Sequence, residues 1–305
     1  MDVTAGTGGG PVGDELAQAF EMERPRLVRV AYATLGSLAE AEDCVQEAWL
    51  RLRGLDDPGE IRDLPAWLIR TVGRLALDAL GSARARRERY VGTWLPEPLV
   101  GDAAPTADPA DRVTMDEQVS MAMLVVMESL SPAERTAFLL HDVFGLPFDE
   151  VAEVVGRSTV AVRQLASRAR RHVAEGRPRF PPAPHEQRAL VTAFLSACQN
   201  GDLDGLMDVL APEVVLRGDG GGKVSTVPRV LRGADEVAAA MLAFSGAPIS
   251  GLRVTTVNGS PGIVARGIDG NLSVAAITVD AGRIVAIDVV RNPDKLTTVQ
   301  EPDAG

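Results

Sequence analysis

Cysteine is nearly missing from this chain: Cys44 and Cys198 are the only two in 305 residues. Two distant thiols make neither a disulfide framework nor a zinc site, and each falls on the apolar side of a predicted helix as a small hydrophobe. No metal and no cofactor is expected. Histidine is as scarce, with His141, His172 and His185 and none beyond. The last third therefore lacks the side chain best suited to proton transfer near neutral pH, which argues against an enzyme. Long apolar runs are absent too. The longest, Met121 to Met127 and Val274 to Val279, cannot cross a bilayer, so no membrane association is expected. The first 13 residues, MDVTAGTGGGPVG, carry neither the basic patch nor the apolar core of a secretory signal. They read as a disordered Gly-rich tail of a cytoplasmic protein. Lysine is reduced to two residues against 29 arginines, a bias attributable to a GC-rich genome.

What is present is an ordinary globular composition, 46% hydrophobic and 24% charged, on a chain long enough for two or three domains. The net charge of −11 conceals a sharp asymmetry. Seven arginines face one glutamate between Arg157 and Arg179, and four face one between Arg84 and Arg89. Six acids face Arg112 alone between Gly92 and Gln118. Nucleic acid is expected at the two basic stretches.

Helical periodicity runs from Asp14 to about Arg89, with Pro65 in the first turn of a helix through Trp67 toward Leu80. Prolines 96, 98, 105 and 109 mark a linker, and prolines 178, 181, 182 and 184 a second. After Pro184 comes an amphipathic helix, 185–199. Strands are predicted at 214–216, 252–257, 263–266, 272–279 and 284–290, with one helix at 234–244 between them. Asn258-Gly259, Asp269-Gly270 and Asp280-Ala281-Gly282 mark hairpins, so this part reads as an antiparallel sheet with helices.

The most informative stretch is Ser131 to Val173. Ser131-Pro132-Ala133-Glu134 predicts a capping box, and the helix it opens should end at Gly145. A short helix from Asp149 to Val155, with Val151, Ala152 and Val155 inward, meets a turn at Gly156. Ser158 then caps a longer helix with Val162, Leu165, Ala169 and Val173 on its buried side. Ser158, Thr159, Arg163, Gln164, Ser167, Arg168 and Arg171 are left for DNA. Short helix, glycine turn and capped basic helix form a helix-turn-helix, which places its second helix in the major groove.

The block before it narrows the class. Asp43-Cys44-Val45-Gln46-Glu47-Ala48-Trp49-Leu50-Arg51-Leu52 resembles the polymerase-binding helix in region 2 of extracytoplasmic-function sigma factors. Pro65-Ala66-Trp67-Leu68-Ile69-Arg70, on to Leu77-Asp78, resembles their promoter-melting segment, and Ser131 to Val173 their region 4. Trp94-Leu95-Pro96-Glu97-Pro98, Asp219-Gly220-Gly221-Gly222-Lys223 and Asn292-Pro293-Asp294-Lys295-Leu296 resemble the motifs of one subgroup, which carries a fused C-terminal SnoaL-like domain. The chain departs from the subgroup at Gly81, where an arginine is expected, and at Thr93, where a proline is.

The resemblance implies two all-α helical domains followed by an α+β cone. Its divisions are a tail (1–13), region 2 (14–91), linker (92–111), region 4 (112–177), Pro-rich linker (178–184), SnoaL-like domain (185–296) and tail (297–305). It implies a transcription initiation factor with core RNA polymerase (β′ coiled coil and β flap) and promoter DNA as partners. Asp43, Gln46, Glu47, Leu50 and Arg51 would meet polymerase. Arg70, Arg74, Arg84, Arg86 and Arg87 would meet the −10 element, with Trp67 either packed in the core or facing a base there, and the helix-turn-helix the −35 element. The three subgroup motifs are expected to dock on one another within the chain and to tune activity in cis. Asp219 with Lys223 offers a carboxylate–amine pair in principle, but the glycines between them read better as a flexible loop whose backbone approaches a partner closely. A plain helix-turn-helix regulator and a fused enzyme are the competing classes.

Overall fold

The computed structural model describes residues 11–101, 119–176, 178, 180, 182–245, 250–267 and 269–300. The expected tails beyond these limits, linker residues 102–111, and Arg112, Arg177 and Arg179 lie outside them. The first block holds α1 (Pro11–Leu35), α2 (Leu38–Arg53) and α3 (Leu64–Arg87). The first helix thus starts three residues before the predicted boundary. Asp63 caps α3 through the Ala66 amide, at 3.0 Å, and Pro65 fills the first turn, where a missing N–H costs nothing.

The second block holds α4 (Met121–Met127), α5 (Pro132–Phe138), α6 (Phe148–Val155) and α7 (Thr159–Gly176). The helix opened by Ser131 does not stay α-helical to Gly145: Leu139–Val143 widens into a π turn. In α6 the buried positions are Val151, Ala152 and Val154, while Val155 is only half-buried, a correction of one position to the predicted face. Both blocks share one hydrophobic core, in which Leu27, Leu35, Leu52, Leu68 and Val72 join Leu124, Leu139, Leu140, Val151 and Leu165.

The C-terminal part holds α8 (Pro184–Asn200), α9 (Leu203–Val209), α10 (Ala234–Ser245) and six strands. These are β1 (Leu210–Asp219), β2 (Leu231–Arg232), β3 (Ser250–Val257), β4 (Ser260–Arg266), β5 (Leu272–Asp280) and β6 (Arg283–Val290). The sheet order is β2-β1-β6-β5-β4-β3. The predicted α+β architecture is what forms, with α9 and β2 unpredicted and β1 starting four residues early. The sheet is not wholly antiparallel: β1 pairs with β6 in parallel, which the long excursion through β2–β5 permits. Val257 faces Ser260 and Asp280 faces Arg283 across two-residue loops. Asn258 and Ala281 take positive φ there, each followed by glycine, the geometry of a type I′ turn.

One sheet face packs on α8–α10 through Val191, Phe194, Leu216, Val237 and Ile287. The other carries Val264, Val274 and Val290, which pack against Leu95, Met121, Leu296 and Val299. The sheet therefore has its own core on one side and is joined to the helical blocks on the other. On that second side Asp288 is buried beside Arg217, whose Nη1 donates to Oδ1 at 2.8 Å, while Oδ2 has no partner. Burial raises the Asp288 carboxyl against the opposing pull of Arg217. The folded chain thus keeps a proton that the unfolded chain releases, so this group lowers stability as pH rises through the carboxylate range. Asp288→Asn should therefore gain stability relative to the parent between pH 4 and pH 8, as read by urea denaturation across that range; a constant difference would refute this.

Candidate nucleic-acid interface and interdomain hub

The capping box forms as predicted: the Glu134 amide donates to Ser131 Oγ and the Ser131 amide to Glu134 Oε2, at 3.4 and 3.2 Å. Gly156 ends α6 in the left-handed region at φ 67°, and Ser158 Oγ accepts the Ala161 amide at 3.3 Å to start α7. Along α7, Val162, Leu165, Ala166, Ala169 and Val173 are buried. Arg163, Gln164, Ser167, Arg168 and Arg171 are exposed, and with Val160 they line one shallow concavity of about 420 Å³. Ser158 is exposed and Thr159 half-buried beside it.

On α2 the buried side is Ala41, Cys44, Val45, Ala48 and Leu52. Burial and the acids Glu40 and Asp43 push the Cys44 thiol up to about 11, so it stays a neutral core group. Asp43, Gln46 and Leu50 are exposed, and Glu47 accepts from Arg51 at 2.9 Å, the ordinary four-residue spacing. Leu50 is 53% exposed, an apolar tip within a charged edge.

The residues predicted for the −10 element are placed unequally. Trp67 is half-buried against the shared core. Arg70 reaches Glu150 of α6 at 3.1 Å, and Arg74 donates to the Glu153 carbonyl at 2.6 Å. Arg86 pairs with Glu40, while Arg84 is exposed. Arg87 is half-buried; it pairs with Glu128 at 2.6 Å, donates to the Leu35 carbonyl and lies 3.5 Å over the Trp94 ring. Arg70 and Arg74, one turn apart, share a face of α3, and there the helix-turn-helix itself occupies it.

The three subgroup motifs meet at Asp219, which is fully buried. Its Oδ1 accepts from the Tyr90 hydroxyl at 2.6 Å and the Gly221 amide at 3.0 Å. Its Oδ2 accepts from the Leu95 amide at 2.9 Å and Lys295 Nζ at 2.7 Å. Asn292 donates to the Tyr90 hydroxyl at 2.7 Å. Lys295 also donates to the Leu95 carbonyl and lies 4.1 Å from the Trp94 ring, which Arg87 covers as well. Burial pulls the Lys295 ammonium down, opposed by the Asp219 carboxylate. Burial and the same carboxylate push the Tyr90 hydroxyl up.

The pair set aside in the sequence does not form, and the loop reading needs one correction. Asp219 does not pair with Lys223, whose Nζ is 2.6 Å from Asp294 instead. The backbone of the glycine loop does approach a partner closely, closing on Asn292, but the loop is not loose, because the Lys223 and Val224 amides both donate to the Gly220 carbonyl. A Cβ on Gly221 would lie 2.5 Å from the Asn292 carboxamide, at a φ of +63° that disfavours alanine. Gly221→Ala should therefore loosen the docking by about 2 kcal/mol. The check is faster proteolysis of the full chain; cleavage at the parent rate would count against it.

Glu97 of the proline motif faces the other way. Its carboxylate accepts the Leu38 amide at 2.8 Å, at the start of α2, and its own amide donates to the Gly36 carbonyl at 2.8 Å. Pro96 and Pro98 are buried beside it. Tyr32 donates its hydroxyl proton to the Glu97 carbonyl at 2.7 Å and accepts from Asn258 at 2.8 Å. Asn258 in turn accepts the Leu99 amide through its side chain, at 3.1 Å. Sequence reasoning missed Tyr32, Tyr90 and Asn258, reading the last only as a turn residue. A signal existed: the chain has two tyrosines, and each joins a helical block to an asparagine of the C-terminal part.

Residues 19–86 match the family model Sigma-70 region 2, and residues 120–173 match Sigma-70, region 4. The chain is 43% identical over 293 residues to the ECF RNA polymerase sigma factor SigJ of Mycobacterium tuberculosis (strain ATCC 25618 / H37Rv), covering 91% of this chain and 92% of that one. It is 39% identical over 287 residues to the probable ECF RNA polymerase sigma factor SigI of the same strain, covering 93% and 95%. The crystal structure of Mycobacterium tuberculosis extracytoplasmic function sigma factor SigJ superposes with a TM-score of 0.74 at 40% identity, covering 92% of this chain and 98% of that one.

Proposed function

The chain belongs to the extracytoplasmic-function RNA polymerase sigma factors, which direct promoter recognition and transcription initiation, and from that premise we propose that its SnoaL-like domain regulates it in cis. The domain holds the Trp94–Pro98 segment and thereby sets how regions 2 and 4 sit relative to each other. The observation that carries this is Asp219, a buried carboxylate whose four donors come from Tyr90 just after α3, the proline motif, its own loop and the C-terminal Lys295. A buried charge so fully partnered has a marked preference for one arrangement over others.

The motif is an adaptor. Leu95 is held by the C-terminal domain, while Glu97 caps α2, whose exposed edge Asp43, Gln46, Glu47, Leu50 and Arg51 we assign to core polymerase. The acids on that edge suit the basic β′ coiled coil, and region 4 is assigned to the β flap. The outer stripe of α7 is assigned to the −35 element, its arginines holding phosphates and, with Gln164, addressing base edges. Trp67 and the arginines of α3 are assigned to the −10 element. Arg70 and Arg74 must leave Glu150 and Glu153 to reach it, so region 4 moves off α3 when promoter DNA is opened. The domain limits given above at 91/92, 111/112, 177/178 and 184/185 are kept in this reading, as is a cytoplasmic site of action.

Run-off transcription with core polymerase tests the reading, comparing the full chain with chains ending near residues 184 and 290 on promoters whose spacer is varied by single base pairs. Both truncations should change output and spacer preference alike, because the second removes Asn292 and Lys295 from the hub. Identical behaviour of all three chains would sink it.

A further inference from the structure

We infer that Val160 is a specificity-determining residue that reads the C5-methyl group of a thymine in the upstream promoter element; this rests on the assignment of α7 as the groove-entering helix. Val160 stands in the first turn of α7, just after the Ser158 cap, and is 65% exposed. It does not belong to the buried stripe, which runs along Val162, Leu165, Ala166, Ala169 and Val173. It heads the opposite one, since Arg163, Gln164, Ser167, Arg168 and Arg171 follow it at helical spacing around the same concavity. One apolar side chain leading a polar, arginine-rich stripe needs a partner that is anionic nearly everywhere and apolar at one point. The major groove of duplex DNA has that character, because thymine alone presents a methyl group there.

Position supports the choice. The N-terminal residues of a recognition helix enter the groove most deeply, so a first-turn side chain meets a base edge and not a phosphate. Valine is short and stiff at χ1, which leaves it little freedom to turn away. Arg163 and Gln164, one turn further on, are placed to hydrogen-bond neighbouring base edges while the valine methyls cover the thymine. Covering one methyl-sized group is expected to change affinity about fourfold.

The test uses holoenzyme made from the full chain and core polymerase, on a promoter selected by that holoenzyme from a random upstream library. Each thymine of the upstream element is replaced singly by deoxyuridine, which removes only the methyl group. The parent should lose about fourfold in affinity at one thymine, and Val160→Ala should be insensitive at that position while responding normally elsewhere. Val160→Ala retaining the parent's full pattern, or a parent indifferent to every replacement, overturns the inference. Arg171→Ala, run alongside, should weaken all duplexes equally. If it does so while Val160→Ala keeps the parent's pattern, the valine reading alone falls; if it has no effect, the assignment of α7 falls with it.

Discussion

Asp219→Ala should detach the C-terminal domain from the helical blocks without unfolding either. The Lys295 side chain is only 11% exposed, and its ammonium would lose its counter-charge. The Tyr90 hydroxyl and the Leu95 amide would lose their acceptor in the same step. Stranding a buried charge in this way costs about 3 kcal/mol or more. The chain can avoid that cost by letting water in between the domains, because the core around Phe194, Leu216 and Ile287 does not depend on the hub. Hydrogen exchange should show the Leu95 amide at least ~100-fold less protected, with circular dichroism unchanged. Transcription should shift to the level of the chain ending near residue 184. A double variant, Asp219→Asn with Lys295→Met, removes both charges and should regain part of the docking, whereas Asp219→Asn alone should not. Undiminished Leu95 protection in Asp219→Ala would end the case for the hub.

The parts legible in the sequence were those whose causes are local. The Ser131 box, the Gly156 turn, the Ser158 cap and the stripe of α7 are each written within a few residues, and each forms where the spacing puts it. The two-residue hairpins at 258–259 and 281–282 are of the same kind. What failed involved choosing partners across long separations. Asp219 and Lys223 are four residues apart and look like a pair, yet Asp219 takes Lys295 and Lys223 takes Asp294. The glycines bend the loop so that its carboxylate points inward and its amine outward, a geometry that spacing alone does not encode. The parallel β1–β6 pairing and the engagement of Arg70 and Arg74 by α6 were hidden for the same reason. Their energetic warrant lies in another part of the chain.

Arg135→Met should strongly destabilise the helical blocks. Arg135 is 1% exposed, and its guanidinium donates to the Ala33 carbonyl at 3.1 Å near the C-terminus of α1. It also pairs with Glu128, which Arg87 holds from the other side while donating to Leu35. One glutamate of region 4 is thus clamped by two arginines, each bonded to the last turn of α1, where carbonyl dipoles favour cations. Methionine fills the volume but leaves the Ala33 carbonyl without that donor and Glu128 with a single counter-charge. The expected cost is about 3 kcal/mol, or roughly 10 °C in the melting of the shared core. Arg86→Met is the matched control, because Arg86 is 61% exposed in its pair with Glu40 and such surface pairs contribute under ~1 kcal/mol. Scanning calorimetry should show the helical transition lowered by Arg135→Met and the C-terminal transition little changed. Equal shifts from the two variants would mean that regions 2 and 4 are not held together through this residue. The two blocks would then be joined through the shared core and the α3 arginines on Glu150 and Glu153 instead.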